Sequence, residues 1–200
     1  MLGKSLLGSI REQKIIKKSM KKLFLTSLLF VLSISFVSAQ SFKTEEGKAT
    51  FYSKVPLHNF EGNSENLVGL INLDDGTVDF YIDLETLDTG NGKRDKDMRL
   101  TLDTKKYPFG EFFGKLNTDF DPESSAVQDV TVKGVFKIHG EEQEIEVEGT
   151  LQITDEGLHV TAGWILNLLD YNIEPPKILF IKVDKDQEIK IDALLKPVEG

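Results

Sequence analysis

The chain has 200 residues, enough for one compact domain, with 24 Lys/Arg against 33 Asp/Glu and a net charge of −9. It contains no cysteine, which excludes a disulfide framework, a thiolate zinc site and a lipoprotein anchor built on an N-terminal Cys. The acidic balance repels nucleic acid and anionic bilayer surfaces, so neither is expected as a partner.

Residues 1–39 read as a secretory signal peptide. Lys17, Lys18, Lys21 and Lys22 precede a 15-residue apolar run from Leu23 to Val37, and Val37-Ser38-Ala39 supplies a small-residue exit before Gln40. The run is shorter than the roughly 20 apolar residues of a spanning helix. Cleavage is therefore preferred to an uncleaved anchor, with no stable membrane insertion afterwards. Residues 1–19 make a long n-region, and Met20 is an alternative start. The expected location is periplasmic or secreted. Without residues 1–39 the chain keeps 17 basic and 32 acidic side chains, a net of −15. A soluble chain of that charge has to enclose any hydrophobic ligand.

From Ala49 onward the hydrophobic period is two. Val78, Phe80, Ile82 and Leu84 alternate with polar residues; so do Val130, Val132, Phe136 and Ile138; Ile145, Val147, Leu151 and Ile153; Leu158, Val160, Ala162, Trp164 and Leu166; and Ile189, Ile191, Ala193 and Leu195. This predicts strands with one buried and one wet face. Asp74-Asp75-Gly76, His139-Gly140-Glu141-Glu142 and Asp155-Glu156-Gly157 are the expected hairpin turns. Asp95 to Leu100 is predicted as one short helical turn capped by Asp95, and Asp119 to Asp129 as a polar loop. Residues 178–183 suit a buried strand or a short helix. Roughly eight antiparallel strands fit either a sandwich or a closed up-and-down barrel, and periodicity does not separate the two. Gly114, Gly134 and Gly149 occupy inward positions, where glycine marks a bend, a bulge or a close approach of ligand to backbone.

Lys93, Arg94, Lys96, Arg99, Lys105 and Lys106 form the basic cluster of an otherwise acidic chain. At a barrel mouth such a loop would hold an anionic head group through charge-assisted hydrogen bonds. The alternative is structural: Arg94 and Arg99 pair with Asp95, Asp97 or Asp103. Leu87-Asp88-Thr89-Gly90 contains an Asp-Thr-Gly tripeptide, but aspartic-protease chemistry needs two such carboxylates; a homodimer using Asp88 is the least favoured function. The same stretch places glycines where a calcium loop needs oxygen ligands. His58, His139 and His159 lack ligand spacing, so no metal is expected. Phe51, Phe80, Phe112, Phe136, Trp164 and Phe180 line a tunnel or fill a core.

Thr89-Gly90-Asn91 through Arg94-Asp95 to Met98-Arg99, with Lys106-Tyr107-Pro108, resembles the TGN-x-x-RD-x-x-MR … KYP signature of the YceI family. Tyr107 to Phe112, Val132 to Gly140 and Asp170 to Ile173 resemble further elements of that family, so the likeness spans about Ala49 to Leu195. Two stretches depart from it: Leu102-Asp103-Thr104 stands where HF or DFF is usual, and Pro175-Pro176 replaces a longer glycine-rich loop. The resemblance implies an all-β, eight-stranded antiparallel up-and-down (lipocalin-like) barrel over residues 40–200. It implies a polyisoprenoid or similar long-chain amphiphile, a quinone included, held in an apolar tunnel for transport or storage. It implies no reaction, no enzyme and no cofactor. Phe80, Ile82, Phe112, Phe136 and Trp164 would form the tunnel, and Arg94 and Arg99 would meet the head group. A ligand-free envelope stress or interaction barrel is the alternative, and a homodimer stays open.

Overall fold

The computed structural model describes residues 40–55, 59–178 and 181–198. The signal peptide expected over residues 1–39, His58 and Phe180 lie outside these. None of the described helices is long and apolar enough to cross a membrane.

Eight long strands close into an antiparallel barrel: β1 (Ser41–Ser53), β2 (Phe60–Asn72), β3 (Thr77–Asp83), β4 (Phe109–Leu116), β5 (Gln128–Ile138), β6 (Glu141–Thr154), β7 (Gly157–Asn167) and, after a two-stranded excursion of β8 (Lys177–Ile178) and β9 (Ile181–Lys182), β10 (Asp186–Pro197). Sequential strands pair throughout, and β10 closes the ring between β7 and β1. Closure settles the choice between sandwich and barrel, because it leaves no edge among the eight strands. The stretch around residues 178–183, open between strand and helix, contributes the β8–β9 hairpin.

Alternation places one residue in two on the inside. Ile71, Val78, Leu151, Leu158 and Leu195 are buried there, and their polar sequence neighbours face water. Strand β1 starts eight residues earlier than the alternation suggests. Its pairing register with β10 shifts between Lys43 and Lys48, and its register with β2 shifts twice between Thr44 and Ala49. Thr44 and Ala49, on opposite parities, are both buried. An irregularity of this kind bends the strand and breaks the period of two, which hides β1 from a periodicity reading before Ala49.

The two ends of the barrel differ. One carries the β2–β3 and β6–β7 turns and the polar 117–127 loop. The other carries all the longer connections except that loop: the β1–β2 loop, the segment from β3 to β4, and the segment from β7 to β10. The β3–β4 segment contains a 3₁₀ turn (Leu84–Thr86) and helix α1 (Gly92–Leu102). α1 is longer than the expected single turn and starts earlier. Its cap is Asn91, whose side chain accepts from the Lys93 and Arg94 amides; Asp95 lies within the first turn. The glycines on either side of Asn91 and the lack of an apolar stripe concealed the helix from pattern reading. Asp103, with φ of 47°, ends it by donating its amide back to the Arg99 and Leu100 carbonyls, a left-handed helix stop made by a residue type that tolerates it.

Candidate lipid cavity

The barrel encloses a cavity of about 720 Å³ lined mainly by apolar side chains. Phe80, Ile82, Phe112, Phe136 and Trp164, expected from the sequence to face a tunnel, all line it. Phe80, Ile82 and Trp164 are only partly buried although they point inward. Their remaining exposure belongs to the lumen. Across β4 and β5, Phe112 and Phe136 are register partners, and the Phe136 ring meets Trp164 and Tyr171 edge-on at 5.5 and 5.7 Å. Burial, with Asp170 nearby, pushes the Tyr171 hydroxyl up to about 12, so it stays neutral across the physiological range.

Helix α1 lies at the end with the long connections and contributes Lys93, Arg94, Asp97, Met98, Thr101 and Leu102 to the lining. The face was not legible without the helix, yet its members obey helical spacing: Arg94 and Met98 are four apart, as are Asp97 and Thr101. Phe60, at the start of β2, also lines the cavity, and the Arg94 guanidinium stacks on its ring at 4.4 Å. Arg94 donates to the Thr89 hydroxyl at 2.9 Å and to the Thr89 carbonyl at 3.0 Å. Asp95, buried at 7% exposure, accepts from the Thr89 hydroxyl and from its amide at 2.9 Å. Burial pushes the Asp95 carboxyl up, but the two Thr89 hydrogen bonds, with Arg99 and Arg94, outweigh it and hold the carboxyl below its ordinary range.

The structure thus separates the two arginines. Arg94 ties α1 to the 89 loop and also lines the cavity. Arg99 is not among the lining residues: it donates to the Glu85 carbonyl at 3.0 Å and lies 3.4 Å from the Glu85 carboxylate, which also accepts from the Thr104 hydroxyl. Lys93 pairs with Asp97 at 2.8 Å, both side chains largely exposed where they border the cavity. Asp88, the residue of the Asp-Thr-Gly tripeptide, accepts from the Gly90 amide at 2.7 Å in a turn and bridges to Asn63. It is exposed and not part of the lining. No group of three His, Cys, Asp or Glu side chains among the described residues is placed to hold a metal.

Other motif residues staple the same end together. The Tyr107 ring covers Gly140 and meets the His139 ring at 5.2 Å. His139 Nδ1 lies 3.2 Å from the Tyr171 carbonyl oxygen. Two polar atoms on lining residues, Ser53 Oγ and Trp164 Nε1, are buried with no hydrogen-bond partner among the described residues. The one sequence signal for Ser53 is its inward parity beside Phe51.

The model of the YceI-like domain matches residues 38–195. No curated protein matches this chain by sequence. Among solved structures, a polyisoprenoid binding domain from Saccharophagus degradans, implicated in plant cell wall breakdown, superposes with a TM-score of 0.67 at 15% identity, covering 80% of this chain and 99% of that one. Burkholderia cenocepacia BcnA gives 0.59 at 16% identity, covering 74% and 94%. The Campylobacter jejuni YceI protein gives 0.58 at 15% identity, covering 74% and 90%. These likenesses establish the shared barrel.

Proposed function

Since this chain belongs to the YceI-like family, we propose that it is a binding protein that encloses a polyisoprenoid or similar long-chain amphiphile for transport or storage. One observation carries the reading: a closed, acidic barrel surrounds about 720 Å³ of mainly apolar lumen. A core built only for stability packs side chains at crystal-like density and leaves few voids larger than a water molecule. Burying a chain inside such a lumen is worth ~25 cal/mol per Å² of apolar surface before ordering costs are subtracted. The name of one structural neighbour, a polyisoprenoid binding domain, supports the same class of ligand.

The head group of the ligand sits at the α1 end, where Arg94 and Lys93 are the cations of the lining. The targeting pattern of residues 1–39 supports delivery to the periplasm or the exterior, where an insoluble chain needs a carrier. Binding, not turnover, is the activity.

Mass spectrometry of residues 40–200, purified from an exporting bacterial host, tests the reading under native and then denaturing solvent. A lipid of fixed stoichiometry, released on denaturation, is the expected result. A ligand-free mass, together with failure to take up added isoprenoid quinones and prenyl phosphates, would instead indicate an envelope barrel that works without a lipid.

A further inference from the structure

Strand β2 has glycine at two inward positions, and each lies under the ring of a cross-strand neighbour. Gly62 pairs with Phe51 of β1, and Gly69 pairs with Phe80 of β3. A Cβ on Gly69 would stand 2.1 Å from Phe80 Cε1 and 2.5 Å from Cδ1; one on Gly62 would stand 2.4 Å from Phe51 Cε1. All three distances are far inside van der Waals contact. The rings lie flat on the barrel wall only because the wall has no side chain there. On the adjacent strands β4 and β5, the Phe112 ring is likewise laid against the paired Gly114 and Gly134, at 2.9 and 2.8 Å from their would-be Cβ positions. Those two glycines are also crowded by the Lys133 and Phe113 carbonyl oxygens at 2.7 and 2.4 Å, so backbone contact alone requires them. Gly69 is different: the three atoms nearest its Cβ position all belong to the Phe80 ring.

Gly69, Phe80, Phe112 and Phe136 are successive register partners, one row across four strands. Lining residues continue on both sides of this row. Ile82, Leu84 and Ile138 lie toward α1; Val78, Val130 and Val132 lie toward the tight-turn end. Phe80 therefore lies partway along the lumen, with lining residues on both sides of it. A Phe80 ring pushed off the wall would narrow the lumen at that level.

We infer that Gly69 sets how deep a ligand chain penetrates, by letting Phe80 lie flat and keeping the lumen open at that level to a single long chain. The cavity's 720 Å³ holds ~24 methylene-sized groups if each takes about the ~30 Å³ of a liquid water molecule. The part of the lumen on the α1 side of Phe80 takes only a shorter chain. The ligand selected is one that passes Phe80, and Gly69 is the residue that discriminates long chains from short. This inference rests on the lumen being a lipid site.

Trp164, the single tryptophan of the chain, lines the cavity and reports occupancy through its fluorescence. Geraniol, farnesol and geranylgeraniol are titrated into residues 40–200 of the wild type, Gly69→Ala and Gly69→Ala/Phe80→Ala. Gly69 has no positive φ, so alanine suits its strand backbone. Wild-type affinity should climb with chain length. Gly69→Ala should bind geraniol within about twofold of wild type but geranylgeraniol more than about tenfold more weakly, and the double variant should recover the long chain. Retained geranylgeraniol affinity in Gly69→Ala overturns the inference. So does an equal loss of all three ligands that Phe80→Ala does not repair, since that marks a purely structural glycine. A wild type that binds none of the three strikes instead at the lipid-binding reading.

Discussion

The Asp95 carboxylate accepts from both the hydroxyl and the amide of Thr89, so a single buried charge joins the first turn of α1 to the loop that leads into it. The charge is in turn faced by Arg94 and Arg99. Helix α1 is short and has little apolar face, so its position over the lumen depends on this joint more than on packing.

Asp95→Ala should therefore cost about 2–3 kcal/mol, the range for losing a hydrogen-bonded buried charge. Chemical denaturation compared with wild type measures it.

The same carboxyl carries a pH signature. Its folded pKa lies below its ordinary 3.8, so the folded state favours the ionised form. The stabilisation is complete above pH 3.8 and is lost as the pH falls through the folded value. Asp95→Asn should be less stable than wild type at neutral pH, with the gap closing on acidification below 3.8. A gap of constant size from neutral to strongly acidic pH would contradict this assignment.

Gly140, with φ of 83°, follows His139 with φ of 57°, the two left-handed residues of a tight hairpin turn. A Cβ on Gly140 would also come within 2.6 Å of the Tyr107 ring. Gly140→Ala should cost about 2 kcal/mol from conformation and overpacking together, some 5 °C in Tm. A thermal melt followed by circular dichroism gives the answer directly.

Ala162 lines the lumen beside Gly149 on the neighbouring strand. Ala162→Trp should fill part of the cavity and cut lipid uptake at least ~tenfold, because overpacking leaves no room for the chain. The barrel itself should still fold. Native mass spectrometry reads the bound fraction and near-ultraviolet circular dichroism reads the fold.

Arg94 has two tasks at once, stacking on Phe60 and bonding Thr89 through two nitrogens. A lysine cannot reproduce that planar fork. Arg94→Lys should lower stability by about 1 kcal/mol. Arg94→Ala should weaken a prenyl phosphate about tenfold at low salt, and high salt should shrink the difference. A neutral prenyl alcohol, titrated in parallel, should respond far less.

Much of the fold was legible. The period of two located β3 and β5 to β7 and most of β10, and the turn residues at 74–76, 139–140 and 155–156 marked the hairpins, because alternation and left-handed turns are local consequences of backbone geometry. The first half of β1 was not, since its irregularity near Lys43–Lys48 moves the inward residues from one parity to the other. Helix α1 was only glimpsed, for it is held by Asn91 and the Thr89–Asp95 joint rather than by an apolar stripe.

The candidate site divides the same way. The residue types that line a lumen were readable: Phe80, Ile82, Phe112, Phe136 and Trp164 all carry inward parity. Arg94 and Arg99 looked alike in the sequence, and only the folded chain sends one to the lumen and the other to Glu85. The glycines were visible too, but not that Gly69 underlies Phe80.

The sequence by itself determined which side of each strand is apolar, where the chain turns and how acidic its outer surface is, for these depend on neighbours a few residues apart. Closure of the sheet, the seating of the Phe80 ring on Gly69 and the parting of the two arginines were decided by tertiary structure alone. Each depends on residues brought together from distant strands, whose ring orientations and bonding partners exist only once the barrel has closed.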